Sequence, residues 1–160
     1  MKKLSPETLR KHKGISFVGV TTCFFVYDKK GHIFMAQRSK NSRDEKGRWE
    51  VGGGGLKWGF KAEDNMRREV LEEYNAKPLE VRFLGYRDVI RNPSDGPANH
   101  WVALDFAVLV DPKDIRINEP DMFDDGAWFT LDNLPSPLHS QQKTFFAKYT
   151  KEIKSLLKAK

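Results

Sequence analysis

Three glutamates, Glu69, Glu72 and Glu73, close one short helical segment, Arg68-Glu69-Val70-Leu71-Glu72-Glu73-Tyr74-Asn75. Helix energetics favour lysines there, because the negative end of the dipole repels carboxylates and like charges three or four residues apart repel one another. Clustered carboxylates at a place that disfavours them are the donor set that hard divalent cations select, so a positive charge is expected among them. The plainer reading is a solvated acidic face with Arg68 paired to Glu72 four residues on. Ala62, Met66, Val70 and Tyr74 form an apolar stripe at spacing four, which anchors the segment to a core as an amphipathic helix. Asn75 is suited to a left-handed C-cap.

Immediately upstream, Trp49-Glu50-Val51 leads as an apolar strand into four consecutive glycines, Gly52 to Gly55. Such a run lets backbone approach a ligand closely and turn its amides and carbonyls toward it, and is read here as a loop before the helix.

Glycines and glutamates at this spacing resemble the Nudix hydrolase family, whose box reads G-x5-E-x7-R-E-U-x-E-E-x-G-U with U a bulky aliphatic residue. The box runs from Gly54 to Ala76, and Gly54, Arg68, Glu69, Val70, Glu72 and Glu73 agree with it. Phe60 stands where the family has its first glutamate, Asn75 replaces the later glycine, and Ala76 fills the last aliphatic position. Farther on, Asn118-Glu119-Pro120 and Trp128-Phe129-Thr130-Leu131-Asp132-Asn133-Leu134-Pro135 resemble the N-E-P and W-x-x-L-D-x-L-P arrangement of nucleotide diphosphatase members. The resemblance covers nearly the whole chain. It implies an α/β/α sandwich around a mixed sheet, with Mg²⁺ or Mn²⁺ held by Glu69, Glu72, Glu73 and the Gly54 carbonyl. Glu72 and Glu73 are the leading ligands, Glu69 a ligand or the base that deprotonates water, and Arg68 orients the glutamates through an ion pair.

The implied substrate is a small nucleotide, with hydrolysis of a nucleoside triphosphate to monophosphate and pyrophosphate as the leading reaction. ADP-ribose, a nucleotide sugar or a dinucleoside polyphosphate are the alternative substrates, and Phe60 keeps a catalytically weakened nucleotide-binding module in view. Arg38, at the end of a strand, could meet a phosphate or form an ion pair. Trp58 and Phe60 could stack on a base or pack on the helix. His100 and Trp101 alternate, so one of them faces a cleft, and His100 is taken as the contact. Among Asp121, Asp124 and Asp125, Asp124 is taken to complete the site.

The elements that position these residues are legible in outline. Ser16 to Tyr27 reads as a strand, Asp28-Lys29-Lys30-Gly31 as a hairpin turn, and His32 to Gln37 as the returning strand. Arg38 to Lys46 is a polar loop. Leu79 to Ile90 and His100 to Val110 are strands, and His139 to Leu157 carries helical apolar spacing. A length of 160 residues with 39% hydrophobic content suits a single domain over residues 1–160.

Cys23 is the single cysteine, which excludes an internal disulfide and suits a reducing, cytoplasmic setting. No apolar run is long enough to span a bilayer, and Met1 to Gly14 lacks the character of a signal peptide. The net charge of +6 suits a polyanionic ligand. Lys148, Lys151, Lys154, Lys158 and Lys160 place much of that charge at the C-terminal end, which reads as a solvated helix face rather than a nucleic-acid surface. A homodimer is left open.

Overall fold

Alternation along two central strands lets one sheet serve two cores. In the computed structural model, which describes residues 5–94 and 96–158, β1 (Gly19–Tyr27) runs parallel to β6 (Asn99–Leu109). Phe24, Val26, Phe106 and Val108 point to one side of the sheet and Phe25, Tyr27, Ala107 and Leu109 to the other, as a side-chain period of two requires. The remaining strands are β2 (His32–Arg38), β3 (Trp49–Glu50), β4 (Gly52–Gly55), β5 (Glu80–Arg91) and β7 (Phe123–Thr130). The order is β3-β2-β1-β6-β5, with β4 added on β1 and β7 on β2. Every pairing except β1 with β6 is antiparallel, so the sheet is mixed.

Helix α2 (Ala62–Tyr74) covers one face through Met66, Val70 and Tyr74, all fully buried. Helices α3 (Ser140–Lys148) and α4 (Thr150–Lys158) cover the other through Phe145, Phe146 and Ile153. This is the expected α/β/α arrangement. Asn75 ends α2 in the left-handed conformation with φ of 53°, and its N–H bonds to the Leu71 carbonyl. The hairpin at Asp28 to Gly31 also forms: Asp28 Oδ1 accepts the N–H of Lys30 at 2.8 Å and of His32 at 2.9 Å, and Gly31 takes φ of 87°.

Three expectations are corrected. The glycine run is not a loop but strand β4, paired in register from Thr21 opposite Gly55 to Phe24 opposite Gly52; the irregular segment begins only at Leu56. The first strand starts at Gly19 rather than Ser16, because Gly14 N–H closes a turn on the Phe17 carbonyl at 2.8 Å. The terminal helix breaks at Tyr149, which has φ of −107° and ψ of 19°. Helix α1 (Pro6–His12), which the composition did not advertise, starts on the Ser5 side chain with Pro6 in its first turn. Met1 to Leu4 and Lys160 lie outside the described residues. No described helix is long and apolar enough to cross a membrane.

Candidate active site

The glutamates are less alike than their shared helix face suggests. Asn65, Glu69 and Glu73 recur every four residues along the side of α2 that meets β4, and only 13% and 5% of the Glu69 and Glu73 side chains is exposed. Glu72 lies outward at 43%. The absence of side chains on β4 permits this approach. A Cβ built on Gly54 would lie 2.1 Å from Glu69 Cδ, and one on Gly52 would lie 2.7 Å from Glu73 Oε2. The Gly53 N–H donates to Glu73 Oε2 at 3.3 Å. Glycines are therefore needed here for close packing of carboxylate on strand backbone, not for freedom in a loop.

Arg68 supplies the positive charge that the cluster called for. Its Nη1 donates to Glu72 and its Nη2 to Glu69, with a further bond from Nη2 to Asn65 Oδ1 at 3.0 Å. The plain i,i+4 pair with Glu72 thus exists, and the same guanidinium also holds Glu69. Asn65, fully buried, ties this arrangement to the sheet by donating to Thr22 Oγ1 at 2.9 Å and accepting the Lys57 N–H at 3.2 Å. Asn65 was not singled out from the sequence, although its spacing of four from Glu69 was the available signal.

Two acids beyond the helix join Glu73. Asn118 N–H bonds to the Glu73 carbonyl at 2.8 Å and its side chain to the Glu72 carbonyl at 3.0 Å. These bonds satisfy carbonyls left free at the helix end and bring Glu119 within electrostatic reach of Glu73. Glu50 of β3 acts on the same carboxyl. Asp124 and Asp125 are exposed on β7 instead, Asp125 accepting the Gly126 N–H at 2.7 Å, and Asp121 is exposed as well. The N-E-P segment, through Asn118, caps the helix, and Asp124, taken from the sequence to complete the site, lies exposed in the acidic run after it.

The Glu73 carboxyl is held well above the usual carboxylate range, first by burial and then by Glu50, Glu69 and Glu119, against the Gly53 N–H. Burial also raises Glu69, opposed by Arg68. As the side chains stand, no three acidic, histidine or cysteine groups among the described residues converge tightly enough to hold a metal ion; Arg68 occupies the space between Glu69 and Glu72. The donor set nonetheless fits a divalent cation, because a buried carboxyl crowded by other acids lacks the charge that would let it ionise. The Gly54 carbonyl accepts from Thr21 Oγ1 at 2.9 Å and Thr22 Oγ1 at 3.2 Å, so ligation there displaces a hydroxyl.

A stability consequence follows from the sign of this shift. A folded pKa above the unfolded value means that Glu73 favours folding fully at pH below about 4, and that this contribution is lost as pH rises through the folded value. Without divalent metal, wild type therefore loses melting temperature relative to Glu73→Gln as pH rises from about 5 to 8. Melting both proteins in chelator across that range checks it, and parallel curves contradict the assignment.

On the α3 side of β4 lies a cavity of about 290 Å³, walled by Thr21, Cys23, Arg87, Val89, Trp101 and Gln142 and floored by Gly52 to Gly55. The Cys23 thiol is pushed up to about 12 by burial and then by Asp105, which makes it an inert wall. Arg38 reaches this cavity, but its guanidinium is spent on protein: Nη1 to Glu50 at 2.6 Å, Nη2 to Asp44 Oδ1 at 3.1 Å and Nε to the Asp44 carbonyl at 2.9 Å. Arg91 grips the same loop through Asp44 at 3.0 Å and Glu45 at 2.8 Å. The expected polar loop is thus held by buried ion pairs.

Of the two alternating residues, Trp101 and not His100 lines the cavity; His100 points to the other face with Asp88 at 3.9 Å. Register decides this, because Trp101 opposes Val89 and shares its face. Trp58 is fully exposed, so it does not pack on the helix. Phe60 is 45% exposed with the Arg68 guanidinium 5.8 Å from its ring centroid. It is a cover on the arginine, not part of the core.

The NUDIX domain family model matches residues 18–149. Among curated proteins, the chain is 24% identical to an RNA pyrophosphohydrolase of Bartonella bacilliformis, over 94% of this chain and 96% of that protein. It is 34% identical to the nucleoside triphosphatase NudI of Enterobacter sp. over 55% of this chain and 65% of that one. Among solved structures, a MutT NUDIX hydrolase from Burkholderia pseudomallei superposes with a TM-score of 0.72 at 26% identity, covering 82% of this chain and 98% of its own. The NUDIX domain of Shewanella oneidensis NrtR, complexed with ADP ribose, shares the fold with a TM-score of 0.68 at 13% identity over 94% and 99%. With the family model spanning both the glycine strand and the glutamate helix, the chain belongs to the Nudix family, as a Nudix pyrophosphohydrolase.

Proposed function

We propose that this Nudix hydrolase, whose substrates are nucleoside diphosphate-linked compounds, converts a nucleoside triphosphate to monophosphate and pyrophosphate with Mg²⁺ or Mn²⁺. The observation that carries the reading is the packing of Glu69 and Glu73 on one face of β4 while the cavity opens on the other. A nucleoside held in the cavity reaches the carboxylates with its phosphates by crossing a strand that has no side chains to obstruct it.

When bound, the divalent cation supplies charge neutralisation on the phosphate oxygens and acidifies a water molecule. Glu72 and Glu73 are the proposed ligands with the Gly54 carbonyl, and Glu69 is a ligand or the group that takes the water's proton. Arg68 positions Glu69 and Glu72 through its two hydrogen bonds. Glu50 and Glu119 raise the local negative charge that draws the cation in. Trp58, exposed one residue from the Lys57 charge that acts on Glu69, is placed to stack on whatever part of the substrate projects from the site. Asp124 and His100 are not carried into the proposal.

The test combines turnover with binding. Purified protein, Mg²⁺ or Mn²⁺ and a panel of nucleoside triphosphates, ADP-ribose, nucleotide sugars and dinucleoside polyphosphates are assayed for phosphate and pyrophosphate release. A 5′-triphosphorylated oligonucleotide joins the panel because the full-length relative is named for RNA and because Lys13 and Arg43 flank the Trp101 ring at 6.0 and 5.3 Å. Pyrophosphate release from a triphosphate is expected, together with a metal-dependent rise in melting temperature that Glu72→Gln/Glu73→Gln lacks. A metal shift equal in both proteins rules out these ligands, and binding without turnover favours the weakened module.

A further inference from the structure

We propose that the part of the sheet which α2 leaves uncovered, on its own side, is where two copies of this chain meet as a weak two-fold dimer. The proposal is independent of the reaction assigned above.

Cross-strand register sets the residues of β1, β6 and β5 on this side in rows: Phe24 with Phe106 and Phe83, Thr22 with Leu104 and Tyr86, Val20 with Val102 and Asp88. His100 and Ile90 form the next row. Met66, Val70 and Tyr74 of α2 bury Phe24 and Phe106 together with Val26 and Val108 below them. Toward β5 and the other rows the apolar residues open to solvent. Phe83 is 57% exposed, Tyr86 59% and Ile90 71%, while Val20, Val102 and Leu104 are partly buried. One bulge assembles this face. Strict alternation would send Phe83 and Tyr86 to opposite sides of the sheet, but the register shifts between Phe83 and Gly85, where Gly85 takes φ of 145°, and both rings come to the α2 side.

Single exposed apolar residues are ordinary on a protein surface; a contiguous set is not. Phe83, Tyr86 and Ile90 leave about 100 Å² each open, and with their partly buried neighbours the face reaches about 500–600 Å², the top of the range for a monomer and the mark of a contact surface. Counted on both copies it gives roughly 1,100 Å² of buried surface, the lower end for a specific interface. A dimer of that size is reversible.

Charge selects a second copy as the occupant. The net charge of +6 holds copies of the chain apart, yet none of the residues in these rows is lysine or arginine, and their charged or titratable members are Asp88 and His100, 3.9 Å from each other. Nucleic acid and anionic lipid are drawn by cations that the rows do not supply. A flat apolar face meets its own copy here without the repulsion that operates elsewhere, and stacks on it as sheet on sheet. A two-fold axis closes the contact at two chains. Pairing along the β5 edge is guarded instead, since Lys148 of α3 donates to the Tyr86 carbonyl and its Nζ lies 5.3 Å from the Tyr86 ring centroid.

The test is sedimentation equilibrium from micromolar to near-millimolar protein, without metal or nucleotide. The mass of wild type is expected to rise from one chain to two and to stop there. Tyr86→Glu and Ile90→Glu, at exposed positions, are each expected to weaken self-association at least about tenfold, as loss of a central apolar contact does. Ile90→Ser, which adds no charge, is expected to weaken it in the same direction by less. Met122→Glu, 39% exposed in the wild-type residue and just before β7 at the far side of the sheet, is expected to dimerise as wild type does. Melting in the dilute, monomeric range checks that each variant keeps the fold. A wild type that stays monomeric throughout, a dimer untouched by the Tyr86 and Ile90 variants, equal weakening by Met122→Glu, or growth beyond two chains overturns the proposal.

Discussion

Replacing Glu73 with glutamine is expected to lower kcat by at least about a hundredfold while leaving the fold intact. The uncoupling of stability from turnover is the informative part. Burial and neighbouring acids hold the Glu73 carboxyl well above the usual carboxylate range in the metal-free protein, and glutamine resembles the protonated side chain in size and hydrogen bonding, including the bond from the Gly53 N–H. Chemical denaturation without metal should therefore give a midpoint at or above wild type near neutral pH. With metal, wild type gains stability and the variant does not. Steady-state rates alongside melting with and without Mg²⁺ measure both effects. Wild-type turnover in the variant would place the chemistry elsewhere, and a collapse of the metal-free fold would show that Glu73 is chiefly structural.

Arg87→Ala is expected to destabilise the protein by about 3–5 kcal/mol. Asp105 has no exposed surface, and Arg87 is its bidentate partner. Removing the arginine leaves a buried charge with only the Tyr149 hydroxyl for company, and burying an unpaired charge is costly. For a chain of this length the melting temperature should fall on the order of 10 °C. Asp105→Asn in the same background removes the unpaired charge and should recover part of the loss. Urea denaturation of the single and double variants separates the two contributions. A loss below about 1 kcal/mol in Arg87→Ala would mean that water reaches Asp105 and that the pair is not held dry.

The helix that bears the glutamates was legible in detail, because its signals are local. Met66, Val70 and Tyr74 at spacing four, and Asn75 beyond them, depend only on helical geometry and on what a left-handed residue tolerates. The same holds for the hairpin at Asp28 to Gly31 and for the alternating strands. Family membership was legible too, since the glycine run and the R-E-U-x-E-E core keep their spacing.

What escaped was everything set by which strands become neighbours. Four glycines read as a loop because they carry no side chains, yet Gly52 to Gly55 have backbone groups that β1 pairs. His100 and Trp101 could not be told apart without the register that places Trp101 opposite Val89. The acids that crowd Glu73 are 23 and 46 positions away in the chain, at Glu50 and Glu119, and no local pattern marks them.

The amino-acid sequence by itself thus determined the family, the carboxylate helix and those strands whose apolar pattern is local, through periodicity and spacing along each segment. Only the tertiary structure decided that Glu73 is buried, that Arg38 is consumed by Asp44 and Glu50, and that Phe83, Tyr86 and Ile90 share one uncovered sheet face. Burial and electrostatic coupling depend on distances through space, and those are set by sheet register and helix docking rather than by separation along the chain.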